Sequence, residues 1–372
     1  MIIRVDAFQD ACKNILAAVD SNSLSLVTET LELKIVDGQL LLNVTNKEYY
    51  AQVKFSTTTD EAFHASVNAN LFLKLIAQVT TETIELKTEG NTLIVKGNGT
   101  YKLPMIFDGD NMLELPPIVI NNPTVEMNVP SETLVSILQY NSKELSKGTI
   151  ARPIQNLYYV DEKGAVTFTT GACVNNFTLE KPVKVLLNNR VVKFFKLFKS
   201  GAVKFTLGYD AISDDTIQTK VRFETDDISI TAILSCDDTL LQSFPVSSVR
   251  GRAMAEYRYS VNLNKDALLQ TISRLMLFTD GKTVVKPYST FEFKNDSVVV
   301  WDTLKENQEV INYVGNSIDV GNGYEAILDL VDLKTTVESC TEDTLTLSFG
   351  NGQAFVLSRG HVFNVIPEVK TN

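Results

Sequence analysis

The chain has 372 residues and carries 34 lysines and arginines against 45 aspartates and glutamates, which gives a formal net charge of −11. Its 44% hydrophobic and 21% charged residues exclude a disordered protein, and no run of about 18 apolar residues is present that would predict a membrane span. The acidic balance argues against nucleic-acid binding by the whole surface, but one basic surface on an acidic protein would limit non-specific binding.

The N-terminal residues and the cysteines both favour a cytoplasmic protein. The stretch MIIRVDAFQDACKN lacks the apolar core and the cleavage site of a signal peptide. The four cysteines, Cys12, Cys173, Cys236 and Cys340, lie far apart and form no CxxC pair. We therefore expect reduced thiols.

The first third of the chain alternates helical and strand patterns. A helix is predicted over 6–20, and a second helix begins after Asn68, which can cap it. An Asp37-Gly38 turn between two apolar runs predicts a hairpin. Further strands are predicted over 49–55, 83–88, 92–96 and 100–105.

The same order restarts near Pro130 and near Asn264, so helix, three strands, helix, three strands is written three times with a period of about 120–130 residues. Prolines near 116–123 and the segment 245–258 fall between the repeats. The pattern predicts an α+β fold of three similar domains, 1–122, 123–254 and 255–372, each with two helices against antiparallel sheet.

One stretch combines a buried and a purely basic face. Residues 187–200, LNNRVVKFFKLFKS, predict a helix with Val191, Phe194, Phe195 and Phe198 on one side. Arg190, Lys193, Lys196 and Lys199 fall on the other side, uninterrupted by acids. This basic face is either a solvated surface or the binding site of an anionic target.

An enzyme is not predicted. The only histidines, His64 and His361, fall in different repeats, so we expect no histidine-based metal cluster, no Ser-His-Asp arrangement and no catalytic residues. The three Gly-Asn-Gly segments lack the context of a phosphate-binding or dinucleotide-binding loop and are typical of turns. No cofactor is expected.

Several segments, in order, are similar to the bacterial-type DNA sliding clamp, the β subunit of the replicative polymerase. NANLFLK at 68–74 resembles the clamp's first-domain helix. RPIQN at 152–156, FTTG at 168–171 and Phe244-Pro245 are similar to the family's RPVLNG, ATDG and FPDY segments. HVFNVIP at 361–367 resembles its closing strand. The low similarity suggests a divergent clamp, such as one encoded by a phage.

The resemblance implies two head-to-tail subunits that close a six-domain ring around double-stranded DNA without sequence specificity. Basic helix faces would then meet phosphates across the hole. The residues expected to line the hole are Lys13, Lys74, Lys143, Lys147, Arg190, Lys193, Lys196, Lys199, Arg274 and Lys334. Tyr101 and Leu103 of one subunit would meet Leu277 and Phe278 of the other.

The family also binds peptide segments of the polymerase and of the clamp loader in an apolar cleft between its second and third domains. By position, the cleft would comprise Thr169, Gly171, Val174, Pro245, Val249, Val365, Ile366 and Pro367. Ala172-Cys173 replaces the family's His-Arg pair, and Gln155 replaces a leucine. The preferred peptide would then differ from the bacterial consensus.

The leading hypothesis is a non-catalytic processivity factor for DNA replication. The alternative is a structural or adaptor protein of the same repeat fold, whose basic helix docks on an acidic protein. Topology separates the two, because a clamp stays on closed circular DNA and slides off linear DNA.

Overall fold

The computed structural model describes residues 1–19, 25–57, 61–145, 153–213, 216–234, 238–278, 287–350 and 354–370. The chain forms two compact units. Unit 1 comprises Met1–Leu134 and Arg190–Ser235, and unit 2 comprises Val135–Asn189 and Cys236–Asn372. Each unit contains segments of two predicted domains, and the three-domain division stays a prediction.

The strands are, in chain order, β1 (Ile2–Arg4), β2 (Thr30–Val36), β3 (Gln39–Thr45), β4 (Tyr49–Ser56), β5 (His64–Asn68), β6 (Thr83–Glu89), β7 (Thr92–Lys96), β8 (Thr100–Pro104), β9 (Phe107–Asp108), β10 (Asn111–Met112), β11 (Pro123–Pro130), β12 (Leu157–Asp161), β13 (Gly164–Phe168), β14 (Ala172–Asn176), β15 (Lys184–Asn188), β16 (Ala202–Ser213), β17 (Thr216–Glu224), β18 (Ile228–Leu234), β19 (Tyr259–Asn264), β20 (Tyr288–Phe293), β21 (Ser297–Trp301), β22 (Gln308–Asn312), β23 (Tyr324–Asp329), β24 (Thr344–Phe349), β25 (Ala354–Arg359) and β26 (Val362–Pro367).

The α-helices are α1 (Val5–Leu16), α2 (Leu26–Glu29), α3 (Ala69–Ala77), α4 (Ser131–Ser136), α5 (Asn189–Val192), α6 (Asp238–Ser243), α7 (Val246–Ala253), α8 (Lys265–Met276) and α9 (Leu330–Glu338). A π-helical turn, Ile137–Asn141, continues α4, and 3-10 turns follow at Ser142–Glu144, Pro153–Asn156 and Lys193–Leu197. No helix of the described chain is long and apolar enough to cross a membrane.

Unit 1 is built on an antiparallel sheet of eight strands in the order β11-β16-β17-β18-β4-β3-β2-β5, with a second sheet β1-β6-β7-β8. An aromatic cluster packs its helices against the sheet, in which Phe8 and Phe72 are fully buried and Phe55 is half-buried. Phe8 of α1 lies 5.4 Å from Phe55 and 6.3 Å from Phe72, measured between ring centroids. These rings fill the space between α1, α3 and β4.

Unit 2 repeats this plan. Its large sheet has the order β15-β12-β13-β14-β26-β25-β24-β19, and its smaller sheet has the order β22-β21-β20-β23. The rings of Phe293, Phe349 and Phe355 stack in one core, with Phe293 and Phe349 only 4.0 Å apart. Helices and large antiparallel sheets confirm the predicted α+β class.

Local signals in the sequence correctly predicted several element boundaries. Asp37 and Gly38 adopt positive φ angles of 50° and 72° and join β2 to β3 as the hairpin pattern requires. Asn68 caps α3 by accepting a hydrogen bond from the Leu71 amide, and Asn264 caps α8 in the same way from Ala267.

The helix predicted over 187–200 is shorter than expected. Its first two residues belong to β15, because Leu187 and Asn188 pair with β12. One α-helical turn and a 3-10 turn follow, ending at Leu197. The apolar face is nevertheless buried as predicted, since Val191, Phe194, Phe195 and Phe198 are each at most 2% exposed.

Candidate functional site

Five of the predicted hole-lining lysines are exposed at helices or helical turns of the two units. Lys13 lies on α1, Lys74 on α3 and Lys143 on a 3-10 turn. Lys196 lies on the 3-10 turn after α5, and Lys199 lies just beyond it. No ion pair joins any of the five to another residue within the described part of the chain. Their ammonium groups can therefore approach phosphate across water.

Four of the other five predicted cations already have partners. Arg190 pairs with Glu48 at 2.7 Å, Arg274 with Glu309 at 2.6 Å and Lys334 with Glu338 at 4.0 Å. Lys193 lies over the rings of Tyr49 and Phe194, with its Nζ 5.7 Å and 5.0 Å from their centroids. Lys147 lies outside the described residues.

The basic face of the α5 region is thus partly neutralised by tertiary contacts. The sequence pattern correctly showed no acid within this segment, but Glu48 of the β3–β4 connection and Tyr49 at the start of β4 approach it. Only Lys196 and Lys199 of its four cations remain exposed without such a contact among the described residues.

A cleft of about 200 Å³ opens in unit 2. The β13–β14 turn, helix α7 and strand β26 form its walls, and all the lining residues lie in unit 2. They are Phe168, Thr169, Thr170, Gly171, Ala172, Pro245, Ser248, Val249, Arg252 and Val365. The residues that line the cleft combine small apolar side chains with hydroxyl groups and one arginine. Such a lining suits a short peptide segment with apolar and acidic side chains.

Five predicted cleft residues line this cavity: Thr169, Gly171, Pro245, Val249 and Val365. Val174 is buried in the apolar cluster that includes Val249 and Val365, so it supports the cleft without lining it. Ile366 points to the opposite face of β26 and is buried in the other core of unit 2. Alternation along a strand explains this correction, since adjacent residues face opposite sides. Pro367 is half-buried and does not line the cavity.

Two further residues that line the cavity, Ser248 and Arg252, were not predicted from the sequence. Both lie on α7, four residues apart, and are exposed toward the cleft. The i, i+4 spacing was available in the sequence, but the short helix carries no strong apolar stripe to reveal which side faces the sheet. Gln155, which replaces the family's leucine, donates from Nε2 to the Thr169 carbonyl oxygen at 3.4 Å.

Aromatic packing and an ion pair hold α7 beside the cleft. Phe244 stacks on Tyr159 at 5.3 Å and meets Phe168 edge-on at 5.0 Å. Arg250 binds Asp161 through two hydrogen bonds of 2.6 Å and 2.7 Å. Burial would raise the pKa of Asp161, but the bonds from Arg250 and from the Lys163 amide outweigh it and lower that pKa below its ordinary value.

The residues predicted for the subunit interface differ in exposure. Leu277 and Phe278, at the end of α8, are 71% and 56% exposed, and Tyr101 on β8 is 38% exposed. Leu103 is only 3% exposed and packs inside unit 1, so its side chain is not available to a partner. Strand β8 is nevertheless the edge of its sheet, which leaves backbone groups for pairing.

One group of side chains that could hold a metal ion occurs in the described parts of the chain, and it belongs to unit 1, whereas the cleft belongs to unit 2. Glu32, His64 and Glu114 of unit 1 place one ligand atom each within 4.8 Å of the others. No metal site was predicted from the sequence, in which the two histidines fall in different repeats.

No protein-family model matches the chain. A β sliding clamp of Helicobacter pylori strain J99 is 28% identical over 116 residues, which is 31% of this chain and 30% of the relative. The clamp of strain 26695 is 25% identical over 124 residues, 33% of each. The matched segment thus spans about a third of these curated relatives.

Solved structures match over the full length. The β subunit of the Streptococcus pyogenes DNA polymerase has a TM-score of 0.82 at 16% identity, covering 100% of this chain and 99% of its own. The H. pylori β clamp bound to a DNA ligase peptide has a TM-score of 0.78 at 15% identity, and the Bacillus subtilis sliding clamp has 0.79 at 13%, with the same coverage. The chain therefore has the fold of the bacterial DNA polymerase III β sliding clamps.

Proposed function

We propose that the protein is a DNA polymerase processivity factor of the cytoplasm. Two copies form a ring around duplex DNA, slide along it and hold the replicative polymerase through the cleft in unit 2. The observation that carries this proposal is the match of the whole chain to the fold of the Streptococcus pyogenes β subunit.

The exposed lysines support a sliding contact with DNA. Lys13, Lys74, Lys143, Lys196 and Lys199 are long, flexible cations on an otherwise acidic protein of net charge −11. Phosphate contacts of this kind carry no sequence information and weaken as salt increases. Topological closure, not affinity, would then keep the protein on DNA.

The cleft supports capture of a short peptide. Its volume of about 200 Å³ accepts one or two apolar side chains, and Arg252 at its side offers two N–H donors to a carboxylate. The H. pylori clamp of this fold carries a ligase peptide, which makes peptide segments of replication proteins, including the polymerase and the clamp loader, the expected ligands here.

Two edge strands support the dimer. β8 ends the small sheet of unit 1 and β22 ends the small sheet of unit 2, so among the described strands each has one neighbour. Leu277 and Phe278 add an exposed apolar surface at the end of α8. Head-to-tail pairing of two copies would cover these edges and this surface.

The test combines mass with DNA topology. Light scattering is expected to give twice the 41.3 kDa of one chain. After loading, the protein should remain on nicked circular DNA in high salt and be lost when the circle is linearised. The double variant Leu277→Asp, Phe278→Asp should be a folded monomer that is lost from both DNAs. Equal retention of the wild type on circular and linear DNA would contradict the proposal.

The adaptor alternative predicts a different result in the same experiment. An adaptor that docks its basic α5 region on an acidic protein gains nothing from DNA topology. It would bind neither DNA form after a salt wash, whatever its mass in light scattering.

A further inference from the structure

Glu32, His64 and Glu114 form a cluster of possible metal ligands in unit 1. The three residues come from β2, from β5 and from the segment after β10. A His64 ring nitrogen (Nε2) lies 3.1 Å from Oε1 of Glu32. The cluster shares no residue with the exposed lysines or with the cleft, so an inference about it does not rest on the proposed function.

The sheet register and one covering segment bring these side chains together. β2 pairs with β5 so that Glu32 lies opposite Ser66 and Lys34 opposite His64, which makes Glu32 and His64 diagonal neighbours. The Ser66 hydroxyl donates to the Leu113 carbonyl at 2.5 Å and thereby fixes the backbone next to Glu114. The cluster is thus held by strand pairing on one side and by a side-chain-to-backbone hydrogen bond on the other.

Glu32 is an unusual residue for its position. It is only 3% exposed. Asn43 donates to its Oε2 at 3.0 Å, and Gln52 in turn donates to the Asn43 amide oxygen at 3.0 Å. This chain of two amides orients the carboxylate so that Oε1 faces His64. A buried carboxylate needs a cation or several donors beside it, and a supported orientation of this kind is typical of metal ligands.

Within the described parts of the chain, Lys34 and His64 form the ion pairs with the two carboxylates of the cluster. Lys34 reaches Oε1 of Glu114 at 3.1 Å, and His64 contributes a charge only when protonated. Two carboxylates and one imidazole therefore converge on a point where a divalent ion would neutralise both carboxylates at once. The ion would compete with the Lys34 ammonium for Glu114 and with a proton for His64.

We propose that Glu32, His64 and Glu114 bind one divalent transition-metal ion, with Zn²⁺ as the best match. One imidazole nitrogen and two carboxylate oxygens are zinc ligands, and a water molecule would complete a four-coordinate site. Ca²⁺ would require about six to eight oxygen ligands, and Mg²⁺ disfavours imidazole. The ion would join the segment carrying Glu114 to the large sheet of unit 1.

The test is calorimetric titration of the full-length, chelator-treated protein with ZnCl₂. One ion per chain is expected, and Glu114→Gln should weaken its binding at least tenfold. Glu89→Gln is the matched control, because Glu89 is also exposed and pairs with a lysine, Lys87, at 2.7 Å. Lys34→Met should strengthen zinc binding, since it removes the competing ammonium.

A spectroscopic readout separates ligation from stability. Co²⁺ should give visible absorption bands with the wild type and with Glu89→Gln. The bands should be lost in His64→Gln, whose fold is verified by circular dichroism, and in Glu114→Gln. Equal zinc affinity of Glu114→Gln and Glu89→Gln would overturn the proposal, and so would absence of wild-type binding at 100-fold excess of ZnCl₂.

Discussion

The ion pair between Arg250 and Asp161 makes a quantitative prediction about the cleft helix. Arg250 lies on α7 and Asp161 at the end of β12, and their side chains are 19% and 6% exposed. Asn at position 161 keeps the shape of the side chain but removes its charge. The Nε of Arg250 has no hydrogen-bond partner within the described residues, so the guanidinium depends on its two bonds to Asp161. We expect Asp161→Asn to leave this charge without its anionic partner.

The magnitude follows from burial. Breaking a buried pair by removing one partner costs about 3–5 kcal/mol. Water reaches about a fifth of the Arg250 side chain and offsets part of this loss, so we expect about 2–3 kcal/mol. In the double variant Asp161→Leu, Arg250→Met no charge remains unpaired, and about half of the loss or more should be recovered.

Urea unfolding measured by tryptophan fluorescence suits this prediction. Trp301, the single tryptophan, lies on β21 of unit 2 together with the ion pair, so its emission reports on the unit that is perturbed. A loss below about 0.5 kcal/mol in Asp161→Asn would refute the reasoning, because it is close to the error of roughly 10–15% in an extrapolated free energy of unfolding. The reasoning would also be refuted if the double variant lost as much stability as Asp161→Leu and Arg250→Met lose in sum.

Two further predictions concern Asp161 and Gly164, which pair at the turn between β12 and β13. Because the folded-state pKa of Asp161 is lowered, its stabilising effect is fully present above the ordinary value of 3.8 and is lost as pH falls through the lower folded-state value. The stability difference between wild type and Asp161→Asn should therefore shrink below about pH 4 in the same urea assay. Gly164→Ala should destabilise unit 2 by about 3 kcal/mol or more, since φ is +143° and a Cβ would lie 2.2 Å from the Asn175 carbonyl oxygen. Gly251→Ala on α7, where a Cβ meets nothing within 4 Å, should instead be neutral or stabilising by about 0.5–1 kcal/mol; equal losses for both glycines would contradict this argument.

The sequence was most informative where structure depends on neighbours along the chain. The Asp37-Gly38 turn, the caps at Asn68 and Asn264 and the buried stripe of Phe194 and Phe195 all follow from local backbone and side-chain rules. It was less informative about the length of the α5 region, because pairing with β12 extends β15 through Leu187 and Asn188.

The candidate functional surfaces show the same division. Residue types and order along the chain were enough to predict the α+β class and the basic segment, and the resemblance to the clamp family pointed to five residues that line the cavity. Which cations of the basic segment are paired was decided by tertiary contacts such as that of Glu48 with Arg190. The side of β26 that carries Val365 was likewise decided by how the sheet packs. The meeting of Glu32, His64 and Glu114 depends on strand register and on a covering segment. Contacts between residues that lie far apart along the chain leave no periodic pattern in the amino-acid sequence. Only the tertiary structure could therefore reveal them.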